Sequence, residues 1–220
     1  MTERHVLVIA PHALDELLGC GGTIARHSEA GRKVHILVLS GNGEGVDGKR
    51  REAAVKAATL LGCEPPRFAG FPENRTDTIS LGEVVSVIEK AVSELRPSTV
   101  YVSHGGNLNI DHQTAFRAAA TALRPVPGHP VVEFLAYEIA SSTDWAPAGF
   151  GDAFRPNCFI DISNALERKM RALEFYAFDM RPAPHARSIE ALENLARARG
   201  ATVGVAAAEA FAVVRVVDRV

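Results

Sequence analysis

Apolar runs and helical segments alternate along the first 130 residues, and that alternation limits the chain to very few architectures. "HVLVIA" (5–10) is a short continuous apolar run, as expected of a parallel strand covered on both faces. "DELLGCGGTIARHSEAG" reads as a helix stopped by Gly31, and "KVHILVLSG" (33–41) as a second buried strand. "GKRREAAVKAATLLG" continues as a helix closed by Gly62, then "PRFAGFPEN" as a short strand and turn. "LGEVVSVIEKAVSELRP" is an amphipathic helix ending at Pro97, followed by the strand "STVYVSH" and the helix "DHQTAFRAAATALRP". The order βαβαβαβα predicts a doubly wound, mainly parallel sheet with helices on both faces.

After Pro130 the rhythm changes. "VVEFLAYEI" and "FIDIS" read as strands, "NALERKMRALEFY" and "SIEALENLARARG" as helices, and "AEAFAVVRVV" as a terminal strand. No repeat, low-complexity tract or linker divides the 220 residues, so the expectation is one Rossmann-like α/β domain over 1–220. A hydrophobic content of 47% suffices for one sizeable core.

Charge and cysteine usage exclude several partners. The formal net charge of −2 provides no global field for nucleic acid or an anionic membrane, and "GKRRE" (48–52) is a local basic cluster only. Cys20, Cys63 and Cys158 form no CxxC pair and read as buried thiols of a reducing compartment. "MTERHVLVIAPH" lacks a signal-peptide pattern, and no apolar run approaches the roughly 20 residues that span a bilayer. The expected location is the cytoplasm, with a small-molecule partner, no nucleic acid and no membrane; a homo-oligomer stays open.

In open α/β sheets, sites lie beyond the carboxyl ends of the strands. His12 and Asp15 stand there after the first strand, and "SHGGNLNIDH" (103–112) follows a later strand in the same way. A His and an Asp three residues apart, joined by a distant His, make a set of two histidines and one carboxylate. Catalytic zinc sites typically use three protein ligands and keep a fourth position for water. "GCGG" (19–22) does not satisfy GxGxxG, and the second strand ends in Ser40 and Gly41 with no acid for a ribose, so nucleotide binding is not expected. The glycines are read instead as letting the helix approach the sheet closely.

"PHALDELLGCGGTIA" resembles the signature of the LmbE/PIG-L-like N-deacetylases. The resemblance continues, in order, through "FPENRTDTISLGEV", "SHGGNLNIDH", "YEIASSTDW", "PHARSIEALENLARARG" and "AEAFAVVR". It implies a Rossmann-like fold, a bound Zn²⁺ and hydrolysis of N-acyl groups, mostly acetyl, from amino sugars and their conjugates. It places His12, Asp15 and His112 at the metal-ligand positions. Glu16 would support them from behind or serve the helix start, where an acid also suits the macrodipole.

One departure stands out. The family's general base, usually a second aspartate before the metal-binding one, is Leu14 here. A histidine associated with the oxyanion is replaced by Asn109, which still donates hydrogen bonds. Asp111 and then His104 are the candidates to handle the proton, although Asp111 also fits a helix cap. The alternative is a catalytically impaired, metal-containing sugar-binding protein of the same fold. Arg187, Ser188 and His185 in "PHARSIE", with Arg51 and Arg75, are candidates for holding substrate, Ser188 also reading as a plain helix cap. Trp145 reads first as a core residue and second as a platform for a sugar ring.

Overall fold

The computed structural model describes residues 4–41 and 45–218. Among the described residues, seven strands form one sheet in the order β3-β2-β1-β4-β5-β7-β6. They are β1 (His5–Ala10), β2 (Lys33–Ser40), β3 (Arg67–Phe71), β4 (Thr99–Ser103), β5 (Glu133–Tyr137), β6 (Cys158–Asp161) and β7 (Ala208–Val216). The helices are α1 (Asp15–Glu29), α2 (Gly45–Leu61), α3 (Leu81–Leu95), α4 (Ile110–Ala122), α5 (Leu166–Glu174) and α6 (Ile189–Ala201). β1 to β5 pair in parallel. β7 runs antiparallel to both β5 and β6, so the segment after Pro130 completes the sheet with a reversed strand.

Side chains of successive strand residues point to opposite faces. Val6, Val8 and Ala10 therefore enter one core with residues of α1, α2, α5 and α6. Leu7 and Ile9 enter the other, against α3 and α4. Both faces of β1 are covered, which is why its sequence is apolar without alternation. Among the described residues no helix is long and apolar enough to cross a membrane.

The glycines of "GCGG" are packing devices. A Cβ on Gly19 would lie 2.1 Å from the Tyr137 ring, and one on Gly22 would lie 2.7 Å from Ile162. Only hydrogen at those positions lets α1 lie directly on the sheet. A buried ion pair then clamps the helix: Glu209 of β7 accepts from the amides of Gly22 (2.9 Å) and Thr23 (2.7 Å). Lys169 of α5 donates to Glu209 at 2.7 Å and to the Leu18 carbonyl at 2.9 Å, so every charge in the clamp is paired. This fixes the start of α1 beneath the carboxyl end of β1, where His12 and Asp15 sit.

Candidate metal centre and adjoining cavity

β1 ends at Ala10, and the chain reaches α1 through a tight turn in which Leu14 has φ of 98°. That is a costly backbone for a branched side chain. The turn is held by its neighbours: the Leu14 amide donates to Glu16 (2.9 Å), the His12 amide to Asp15 (3.0 Å). Leu14 itself is buried in the apolar core. Glu16 is fully buried against the Tyr176 hydroxyl, and burial pushes its carboxyl up to about 8. Its place is behind the turn, fastening it.

The turn presents His12 and Asp15 to His112, which α4 carries one residue after Asp111. Asp15 Oδ2 lies 3.2 Å from His12 Nδ1 and 3.1 Å from His112 Nε2, and the two ring nitrogens are 3.3 Å apart. The three ligand atoms all fall within 4.8 Å of one another and can hold a metal ion. Two imidazole nitrogens and one carboxylate suit a divalent cation of borderline character. A further feature fits such an ion: His12 Nε2 donates to Asp111 at 2.7 Å, which turns Nδ1 toward the other two ligands. Among the described residues, the buried His112 Nδ1 has no hydrogen-bond partner, so none of them supports that ring in the same way.

Electrostatics follow from this crowding. Burial pulls the His12 imidazolium down, but hydrogen bonds to Asp111 and Asp15 outweigh it and raise the group to about 10. Burial alone would raise Asp15, yet the two histidines hold it well below the usual carboxylate range. A cation entering the triad takes the place of that His12 proton.

Asp111 differs from the free proton acceptor expected of it. Its carboxylate also receives the Thr76 amide (3.0 Å), the Thr76 hydroxyl (2.7 Å) and the Asn74 amide (2.5 Å). Against the cost of burial, the bonds from His12 and Thr76 hold it at about 2. A carboxylate with four donors around it is a poor proton acceptor, and its geometry is that of a buttress for His12. His104 is equally committed: Nε2 donates to the Asp152 carbonyl at 2.8 Å, and the ring packs edge-on against Phe154. Asn109 caps α4, accepting from the Asp111 amide at 2.8 Å, while its own amide donates to Asn74 at 2.8 Å.

At Asn109, which caps α4 three residues before His112, lies a cavity of about 410 Å³, within the range of small-molecule sites. Asn109 lines it, together with Arg50, Trp145, Asp179, His185 and Arg187. Of the expected substrate residues, His185 and Arg187 are therefore brought to one cavity. Arg51 is not: its guanidinium stacks 4.1 Å above the Phe68 ring. Arg75 is exposed on the loop before Thr76 and lines none of the cavities described. Ser188 is buried and caps α6, its hydroxyl accepting from the Ala191 amide at 3.1 Å. Trp145 corrects the expectation of a core residue, being 54% exposed at the cavity. Arg50, Arg181 and Asp179 escaped the sequence reading. Arg50 could have been separated from Arg51 only by helical phase, one residue being about 100° of rotation.

A mostly parallel α/β sheet with a His-Asp-His cluster at its carboxyl edge, a donor set able to hold a metal ion, defines the class of fold. Residues 7–123 match the family model described as PIG-L: GlcNAc-PI de-N-acetylase, and the chain belongs to that family. It is 27% identical over 189 residues to a probable N-acetyl-alpha-D-glucosaminyl L-malate deacetylase 2 of Bacillus anthracis, covering 80% of this chain and 81% of that one. It is 26% identical over 204 residues to a 4-oxalmesaconate hydratase of Pseudomonas putida, covering 80% and 74%. Among solved structures, a conserved protein from Thermus thermophilus superposes with a TM-score of 0.78 at 27% identity, over 98% of this chain and 96% of that one.

Proposed function

We propose that this chain is a zinc-dependent amide hydrolase that removes the acetyl group from the nitrogen of an amino-sugar conjugate. The observation that carries the reading is the convergence of His12 Nδ1, Asp15 Oδ2 and His112 Nε2 at the carboxyl edge of the sheet. Deacetylase relatives support it. Zinc at such a centre supplies polarisation of an amide carbonyl and acidification of a water. The chain's own residues do the rest. Asp111 keeps the His12 ring in the ligating orientation, and Glu16 fastens the turn that carries two of the three ligands. Asn109, on the cavity wall, gives one amide N–H to Asn74, and its second is the donor we assign to the oxygen that gains charge.

Leu14 cannot accept a proton, and backbone groups hold both Asp111 and His104, Asp111 being bonded to His12 as well. Glu73 is the carboxylate we assign to that task. It borders the same small crevice as Ala13, and its charge is felt at His12. Its partner is a side chain rather than backbone amides: Arg50 Nη1 contacts its two oxygens at 2.7 and 2.9 Å. A second reading, hydration of a carbon–carbon double bond, is favoured by the hydratase relative.

The test is acetate release from a panel of N-acetylglucosamine conjugates. Wild type is expected to release acetate, and Glu73→Gln to slow it by about 10²–10⁴-fold with zinc content unchanged. Metal-dependent sugar binding without acetate from any conjugate would sink hydrolysis. Loss of a conjugated acid's absorbance without acetate would select hydration.

A further inference from the structure

We infer that the cavity at Asn109 holds an anionic group of the substrate, a carboxylate or phosphate remote from the reacting amide, with Arg187 and Arg181 as anchors. The inference rests on the reading above only in taking an amino-sugar conjugate as the molecule that reaches the triad. Three guanidinium groups line this cavity against one carboxylate, that of Asp179. The formal net charge of the chain is −2, so the excess of cations is a local feature of the cavity.

The three arginines are not equivalent. Arg50 is neutralised by two carboxylates, with Nε 2.6 Å from Asp179 and Nη1 2.7 Å from Glu73. Arg187 has hydroxyl partners instead: Nε donates to Ser141 Oγ at 3.0 Å, and Nη2 lies 3.5 Å from Ser142 Oγ. Among the described residues, no carboxylate stands within 4.0 Å of the guanidinium of Arg187 or Arg181. Arg187 is half-buried and Arg181 exposed; a guanidinium with unspent donors, lining a cavity, is matched by an oxyanion, which accepts two parallel N–H bonds.

Arg187 is also held in place in advance. Ser141 is buried and has φ of 81°, a left-handed backbone that costs energy in a residue other than glycine. The Asp144 carboxylate receives the Ser141 amide at 3.2 Å and helps stabilise that conformation. Its result is to set Ser141 Oγ under Arg187 Nε. On the other side the Arg187 amide donates to His185 Nδ1 at 2.9 Å, and the His185 ring meets Trp145 edge-on at 5.3 Å. Trp145 leaves an apolar face at the mouth, on which the carbon face of a sugar ring can rest. A conjugate thus spans two subsites: its amide at the triad, past Asn109, and its anionic end at Arg187 and Arg181.

The test uses three deacetylated ligands that no amide hydrolase turns over: methyl glucosaminide, glucosamine 1-phosphate and glucosaminyl L-malate. Each is titrated calorimetrically into the zinc-loaded wild type, Arg187→Gln, Arg181→Gln and the double variant. The anionic ligands are expected to bind roughly tenfold to a hundredfold more tightly than the neutral one in wild type. That advantage should shrink in each single variant, vanish in the double variant and weaken with salt. Either ranking of phosphate over malate supports the subsite and identifies the group it takes. Equal affinities in wild type, or an anionic advantage retained by the double variant, would overturn it, the latter by putting the anion on the metal. A chain that prefers the anionic ligands yet releases no acetate loses the hydrolase reading and keeps the subsite.

Discussion

Replacing Asp111 by asparagine preserves size and shape but removes one acceptor position and the charge. The carboxylate takes four donors, two on each oxygen: the Thr76 amide and hydroxyl on Oδ1, the Asn74 amide and His12 Nε2 on Oδ2. An asparagine can face either way. With its oxygen toward Thr76, its NH₂ meets the Asn74 amide and drives the His12 proton to Nδ1, the ligating atom. With its oxygen toward His12, the Thr76 amide is left facing an NH₂. The second orientation leaves the buried Thr76 N–H unpaired, at a cost of about 1–3 kcal/mol to the metal-free fold, while the first strands the N–H of the exposed Asn74. Either also removes the anion that makes His12 a stronger ligand, and partners of this kind are worth about 10–100-fold in metal affinity. At saturating zinc the metal then stabilises the variant by about 1.4–2.8 kcal/mol less than it stabilises wild type. Competition against a chromophoric chelator measures the affinity, and thermal unfolding with and without zinc measures the linkage. A folded Asp111→Asn protein whose zinc Kd stays within about twofold of wild type would refute the buttress. Abolished turnover with zinc affinity intact would instead return Asp111 to the role of proton acceptor.

Other outcomes follow from the same geometry. Metal-free His12 is raised to about 10, so zinc binding near pH 7 should release about one proton. The apparent affinity should climb with pH until about 10; heats of binding that do not vary among buffers of different ionisation enthalpy would contradict this. Burial, with Arg32 and Arg26 nearby, lowers His27 to about 4. The unfolded chain therefore binds a proton there first as pH falls, and stability present above about pH 6.5 is lost between about 6.5 and 4, by at most about 3 kcal/mol. His27→Gln should flatten that part of the acid limb in urea unfolding at pH 7 and 4.5, and an unchanged slope would exclude His27 as its source. Gly19→Ala forces a Cβ to within 2.1 Å of the Tyr137 ring, both sites being fully buried. It should cost about 1–3 kcal/mol and lower Tm by roughly 2–4 °C per kcal/mol, with a neutral result refuting the close approach.

The order of strands and helices was legible in the chain because each element carries its own local period, and both faces of the central strands had to be apolar. The convergence of His12, Asp15 and His112 was legible for a related reason. Two ligands lie three residues apart at the end of one strand, and the third follows another strand in "NIDH", so adjacency in the sheet does the rest. What Asp111 does could not be read that way. Its partners Asn74 and Thr76 lie about 35 positions earlier and reach it only when the loop after β3 folds over α4. The cavity was decided almost wholly by tertiary structure. Arg50 faces it while Arg51 turns to Phe68, a difference of one residue's helical rotation that composition does not record. Arg187 is an unneutralised cation only because no carboxylate from another segment comes within reach, whereas Arg50 meets Glu73 and Asp179 from two others. Local sequence sets period, caps and turns; which charges end up paired depends on segments far apart in the chain, and only packing brings those together.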